Sequence, residues 1–211
     1  MTTPDLPVLE ADAITCYRDD RALFSNLSFR LEASQTLLVE GRNGSGKTSL
    51  LRILCGIRMP DEGRICWNGK DIFRLGAEYL GGIAYIGHRD GVKLDLTAAE
   101  NLTIARNLGN PDHNLSIESA LDSLYLSGFD DVPARKMSAG QQRRLALARL
   151  LVTRSMLWIL DEPFTSLDVA GIALTEQLIQ THVARGGMLV MSSHHVVNLE
   201  KQSVIRLNLS E

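Results

Sequence analysis

Residues 41–48, GRNGSGKT, have the spacing G-x-x-x-x-G-K-T. Glycines at Gly41, Gly44 and Gly46 let the backbone curl tightly enough for several N–H groups to converge on one anion. Phosphate oxygens are the natural ligand of such a loop. Lys47 is placed to contact β- and γ-phosphates, the Thr48 hydroxyl to coordinate Mg²⁺, and the helix that opens here adds positive potential at its N-terminus. Arg42, Asn43, Ser45 and Ser49 complete the expected phosphate-binding run of residues 41–49. The bland alternative is a glycine turn with no ligand. The apolar stretch TLLVE before the loop and the helically spaced leucines of KTSLLRILCG after it favour the phosphate reading.

A second element is MLWILDE, an apolar strand that ends on Asp161 and Glu162. Parallel sheets bind ligands outside the carboxyl ends of their strands. There Asp161 would hold Mg²⁺ through its water shell. Glu162 would act as a general base toward water attacking the γ-phosphate in line. A third element, MSAGQQRRLALARL, opens a long helix. Ser138 and Gln141 have the S-x-x-Q spacing of a capping box, and Ser138 lies 23 residues ahead of Asp161.

Positioning these groups requires a particular series of elements. Residues 7–14 and 22–31 read as an antiparallel pair, with Asp19 and Asp20 as a turn between them. Strands follow at 36–40, 63–67 and 83–87, and the periodicity turns helical from about residue 97 to 153. Beyond it, strands return as MLWIL, GMLVMSS and SVIRLNL, with a helix over 169–184. Alternating strands and helices imply a parallel sheet covered on both faces.

Taken in order, these motifs resemble the ATP-binding-cassette family, whose signature LSGGQ appears here as MSAGQ at 137–141, with Ala139 replacing a glycine. The resemblance covers essentially the whole chain. It implies an α/β fold of the P-loop NTPase class, with a mostly parallel core sheet, an N-terminal antiparallel β subdomain and an inserted helical subdomain. Residues 1–211 then form a single domain: 1–90 and 154–211 as nucleotide-binding core with β subdomain, and 91–153 as the helical part carrying the signature. The resemblance also implies ATP with Mg²⁺, hydrolysis coupled to transport, and catalytic roles for Glu162, His194 and Lys47. In that family two cassettes pair, so Ser138, Gly140 and Gln141 of one copy cap the nucleotide held by the glycine loop of the other in a homodimer. Asp168, in SLD, resembles the loop that communicates across the pair. His194, in SSHH, resembles a switch histidine contacting the γ-phosphate and organising Glu162, with His195 as its bystander. Tyr17 resembles the aromatic that stacks on adenine. One position departs: the family's glutamine after the strand IAYIG is replaced by His88 and Arg89. Arg89 is its equivalent, and a guanidinium cannot ligate a cation.

Within the family, LEADAITCYRDDRALFSNLSF, IAYIGHRDGVKLDLTAAENL and LWILDEPFTSLDVAG resemble the ATP-binding subunits of haem exporters in bacterial cytochrome c biogenesis. That implies a peripheral protein on the cytoplasmic face of the inner membrane, working with integral membrane transporter subunits. No direct haem contact is expected, since the chain has no C-x-x-C-H. A cassette serving lipoprotein release or metal uptake would keep every motif. Soluble cassettes that act on ribosomes or DNA carry two cassettes or a long coiled coil, and neither is present. A P-loop kinase would share GRNGSGKT but not MSAGQ.

Composition agrees. With 22 basic against 25 acidic residues and a net charge of −3, the chain has no electrostatic footprint for nucleic acid, and no direct nucleic-acid partner is expected. Cys16, Cys55 and Cys66 have neither an even count nor a C-x-x-C spacing, which argues against disulfides and thiolate metal sites. The opening MTTPDLPVLEAD reads as neither signal nor transit peptide, and no apolar run approaches the ~18 residues of a bilayer span.

Overall fold

The computed structural model describes residues 6–195 and 203–210. β1 (Val8–Arg18) and β2 (Arg21–Glu32) form an antiparallel hairpin, Val8 opposite Glu32 and Arg18 opposite Arg21. Asp19 and Asp20 turn the chain at φ 50° and 59°, a left-handed geometry that short acidic side chains tolerate. The first strand runs four residues beyond its expected end at residue 14. Ala13, at φ 50°, resets the alternation at a register shift, after which Ile14, Thr15 and Cys16 are all buried.

β3 (Gln35–Glu40) leads into α1 (Lys47–Leu54), followed by β4 (Glu62–Trp67) and β5 (Lys70–Asp71). Short helices α2 (Ile72–Leu75) and α3 (Ala77–Gly81) precede β6 (Ile83–Ile86). Between β6 and β7 (Leu157–Asp161) lie α4 (Ala98–Leu108), α5 (Ile117–Asp122), a 3₁₀ turn at Ala134–Lys136 and α6 (Ala139–Ala148). α7 (Val169–Ala184), β8 (Met188–Ser192) and β9 (Ser203–Asn208) complete the described chain. α6 stops short of the expected 153, because Arg149, Leu150 and Leu151 each bond three residues back and tighten the last turn.

Two sheets result. One is antiparallel, in the order β2-β1-β4-β5. The other, β6-β7-β8-β3-β9, is parallel at every pairing. The alternation of side chains along the parallel strands separates two apolar layers. Leu37, Val39, Ile159 and Val190 face α1 and the antiparallel sheet, where they meet Leu50, Leu54, Leu9 and Ile65. Leu38, Trp158, Leu160, Leu189 and Met191 face the other way, against Leu102, Leu121, Leu147 and Ile179 of the later helices. Every residue of β7 and β8 is buried, which accounts for their unbroken apolar sequence. Among the described residues no helix is long and apolar enough to cross a membrane.

Candidate functional site

Parallel pairing brings the carboxyl ends of β3, β6, β7 and β8 to one edge. The loop 41–46, His88, Asp161–Glu162 and His194 therefore converge without any contact local in sequence. A cavity of about 650 Å³ lies there, lined by Asn43, Gly44, Gly46, Lys47, Thr48 and Ser49 along with His88, Asp161, Glu162, Thr165 and His194, while Gly41, Arg42 and Ser45 of the loop are not on its wall.

The loop is built for an anion. Gly46 takes φ 102° as the N-cap of α1, and a β-carbon there would stand 3.0 Å from that of Leu23. A glycine is required on both counts. It offers no side chain to cap the helix, and no acid occupies the first turn. α4, α6 and α7 are each capped by a side chain, so α1 alone among these long helices presents an uncapped N-terminus to the cavity. Lys47 Nζ donates to the carbonyls of Gly41 (2.7 Å) and Arg42 (3.3 Å), which lays the ammonium along the loop.

Thr48 Oγ1 donates to Asp161 Oδ2 at 2.8 Å, and Ser192 Oγ to Asp161 Oδ1 at 2.7 Å. Ser192 also accepts from the Glu162 N–H at 3.1 Å. Glu162 takes φ 51°, an unusual backbone for a residue with a β-carbon. Its Oε2 accepts the backbone N–H of His194 at 3.1 Å. His194 Nε2 is 3.1 Å from Asn43 Oδ1 and 3.5 Å from Glu162 Oε1. Glu162 Oε1 itself is buried with no hydrogen-bond partner among the described residues, as is Ser45 Oγ.

Other expected site residues lie elsewhere. His195 is 3.7 Å from Glu176 and packs on Phe164 rather than facing the cavity. Ser138 and Gln141 form the capping box in full, with Ser138 N–H on Gln141 Oε1 (2.8 Å) and Gln141 N–H on Ser138 Oγ (3.2 Å). Neither they nor Gly140 line the cavity. Asp168 caps α7 through the Gly171 N–H at 2.8 Å. Tyr17 is 41% exposed, and it is its neighbour Arg18 that lines the cavity. The same holds after β6: His88 is on the wall and Arg89 is not. Sequence reasoning passed over Ser192 and Arg143. Ser192 lay within the string SSHH, but only register shows that it links the Asp161 carboxylate to the Glu162 backbone N–H.

Thr48 and Asp161 offer a hydroxyl and a carboxylate within one coordination radius, with an uncapped helix end and a lysine beside them. Two oxygens are too few for a protein cage. They suit a Mg²⁺ that takes its remaining ligands from phosphate and water. Glu162 Oε1, 3.5 Å from His194 Nε2 and without a hydrogen bond, is an acceptor of the kind a water nucleophile needs.

The fold and this site define a phosphate-binding hydrolase of the cassette type, and comparison with known proteins agrees. The sequence profile described as "ABC transporter" matches residues 24–165. The chain belongs to the ABC transporter family and carries its ATP-hydrolysing cassette. The cytochrome c biogenesis ATP-binding export protein CcmA of Nitrosospira multiformis is 47% identical over 206 residues, covering 97% of this chain and 100% of that protein. The protein of the same name from Methylococcus capsulatus is 48% identical over 201 residues, covering 95% and 97%. That of Escherichia coli K12 is 42% identical over 204 residues, covering 97% of each. Among solved structures, an ATP binding subunit of an ABC transporter superposes with a TM-score of 0.84 at 20% identity, covering 96% of this chain and 86% of that one. A nucleotide-free ATP-binding cassette from an ABC transporter gives 0.77 at 22%, covering 96% and 88%. At these identities the structural likeness shows the fold.

Proposed function

We propose that this chain powers haem export in cytochrome c biogenesis, as a Mg²⁺-dependent ATPase that works as a homodimer beneath integral membrane subunits on the cytoplasmic face of the inner membrane. The observation that carries the reading is identity of 47% across the full length of a CcmA protein, joined to the gathering of Lys47, Thr48, Asp161, Glu162 and His194 around one cavity. Co-purification with the membrane subunits, followed by identification of bound porphyrin, tests it. Recovery with a different class of transporter subunit would overturn the haem assignment.

In this reading Lys47 and the uncapped first turn of α1 hold the β- and γ-phosphates; Thr48 and Asp161 would hold Mg²⁺, which would supply charge neutralisation at the phosphate oxygens. Water approaches the γ-phosphorus in line with the bond to the β-phosphate and loses its proton to Glu162 Oε1. The new oxygen–phosphorus bond forms as the bond from the γ-phosphorus to the bridging oxygen breaks, and ADP leaves with that electron pair. The His194 N–H fixes the carboxylate through Oε2, and the imidazole, steadied by Asn43, reaches toward the γ-phosphate. Because Ser138, Gly140 and Gln141 do not reach their own cavity, we assign them to the nucleotide of a second copy, with Asp168 at the contact between copies. Tyr17, beside the wall residue Arg18, is assigned to the adenine.

Residues 91–153 act as a helical arm of the single cassette domain. A groove of about 380 Å³ runs between β6 and this arm, lined by Ile83, Tyr85, Lys93, Ile104 and Leu108 among others. Ile104 and Leu108 remain 38% and 84% exposed, and such an apolar groove suits a segment of the membrane subunit. It adjoins the loop carrying His88 and Arg89, so a partner seated there would touch the segment that meets the phosphate cavity.

A further inference from the structure

The guanidinium of Arg143, on α6, is 3% exposed and uses all five of its N–H groups. Nε donates to the Pro163 carbonyl at 3.1 Å. Nη1 donates to the Gly87 carbonyl (3.1 Å) and Asp90 Oδ1 (2.8 Å). Nη2 donates to the carbonyls of Asp161 (3.0 Å) and Glu162 (2.7 Å). One side chain thus pins three segments that are far apart in sequence: the signature helix, the loop after β6 that carries His88 and Arg89, and the strand end that carries the metal aspartate and the base.

The shortest of its bonds to carbonyl oxygen falls on Glu162, the residue whose backbone is in the left-handed region. A glutamate does not hold that conformation unless its surroundings enforce it. Arg143 and the Ser192 pair on the Glu162 N–H grip the peptide units on either side of the Glu162 α-carbon. Gly140 lies one helical turn ahead of Arg143, and a β-carbon there would stand 2.9 Å from the Ser166 carbonyl. The same face of α6 therefore rests on the segment 161–166 at two points. Arg149, just past the end of α6, donates to the Asp90 carbonyl at 3.1 Å and holds the loop from its other side.

We propose that Arg143 is a positioning residue for hydrolysis: it fixes the Glu162 backbone and ties it to the signature helix and to loop 87–90, so that displacement of either is transmitted to the base. Arg143 itself does not line the cavity and touches Asp161 only through its backbone carbonyl, so ATP affinity is expected to survive its loss. The proposal rests on Glu162 being the base. It extends that reading by naming the joint through which a second subunit's nucleotide, seated on the signature helix, and a membrane subunit, seated near loop 87–90, act on one carboxylate.

The test is steady-state hydrolysis of Mg²⁺-ATP by the full chain, with ATP affinity measured separately by displacement of a fluorescent nucleotide. Arg143→Gln is expected to lower kcat by about tenfold or more with KM and ATP affinity within about twofold of the parent. Arg143→Lys should recover only part of the loss, since three donors replace five. A smaller fall in kcat, or a KM that rises in step with it, overturns the proposal. If Arg143→Gln does not fold, Asp90→Asn decides: it keeps the acceptor, removes the charge on a residue 27% exposed, and should lower kcat by about threefold or more at constant KM. An unchanged kcat in that variant overturns the proposal. Glu162→Gln, assayed alongside, separates the two ideas. Retained hydrolysis there means the base is misassigned, whereas lost hydrolysis there with a normal Arg143→Gln means only the positioning role is wrong.

Discussion

The backbone N–H of His194 donates to Glu162 Oε2 at 3.1 Å, while Glu162 Oε1 has no hydrogen-bond partner among the described residues. One oxygen of the carboxylate is thus anchored from the end of β8, and the other is left without a hydrogen bond, as the proposed base requires. The ends of two adjacent strands, β7 and β8, together set the orientation of this carboxylate.

Glu162→Gln keeps the anchor, because an amide oxygen can accept the His194 N–H, but it removes the proton acceptor. Hydrolysis is expected to fall by about 10²–10⁴-fold while ATP still binds, so a nucleotide-bound dimer accumulates. Phosphate release and size-exclusion chromatography in Mg²⁺-ATP check both halves. Hydrolysis at the parental rate would remove Glu162 from the role of base.

Ser192 is fully buried and divides its hydroxyl between Asp161 Oδ1 and the Glu162 N–H. In Ser192→Ala the N–H keeps the Ser192 carbonyl at 3.2 Å, but Asp161 Oδ1 loses its donor. An orphaned buried acceptor costs about 1–3 kcal/mol. A lower urea midpoint is expected, together with reduced hydrolysis. A midpoint equal to the parent's would show that Asp161 finds another donor.

The sequence made the chemistry legible wherever it is local. The glycine loop, the capping box at Ser138 and the end of β7 each declare themselves within a few residues, and α7 falls at its expected 169–184. What stayed hidden depends on register between distant strands. Ser192 reaches Asp161 only because β7 and β8 pair Asp161 opposite Ser192. Arg143 went unremarked, since nothing nearby in the chain hints at five acceptors supplied by two other segments. Likewise His88, and not its neighbour Arg89, meets the cavity, because the direction of a side chain in a loop after a strand is set by tertiary packing. The early end of α6 arises from three-residue bonds that no propensity encodes.

At the amino end of the parallel sheet, His182 stacks on Trp158, with centroids 3.7 Å apart and planes 5° from parallel, and its Nε2 lies 3.1 Å from the Met188 carbonyl. Burial lowers its pKa from 6.5 to about 4, against a smaller opposing effect of the backbone carbonyls. The unfolded chain therefore takes up the proton first. The neutral histidine's contribution is whole above about pH 6.5 and is lost as pH falls toward 4, a change of about 3 kcal/mol. Denaturant midpoints measured between pH 7.5 and 4.5 should drop more steeply for the parent than for His182→Phe, which keeps the stack without the titration. Equal slopes would mean that His182 does not govern the acid limb.

The N-terminus of α6 does not line the chain's own phosphate cavity; Ser138 is exposed, whereas Lys47 is buried in the cavity wall. If each nucleotide is held by the Lys47 of one copy and the Ser138 of another, the two residues belong to one site only in a dimer. Lys47→Ala and Ser138→Arg should each abolish hydrolysis alone. The first removes the phosphate cation. The second sets a bulky side chain at the helix end that meets the partner's phosphate. Mixed in equal amounts, half of the dimers formed at random pair one copy of each variant. In each of these, one site joins an intact Lys47 to an intact Ser138, and the other carries both lesions. Activity should then reappear at about one quarter of the parental rate per subunit where the sites act independently, and lower where they are coupled. Mixing ratios scanned with differently tagged subunits, with heterodimers quantified by tandem affinity capture, give the measurement. A mixture that contains heterodimers yet never exceeds either variant alone would place Ser138 and Lys47 in separate roles.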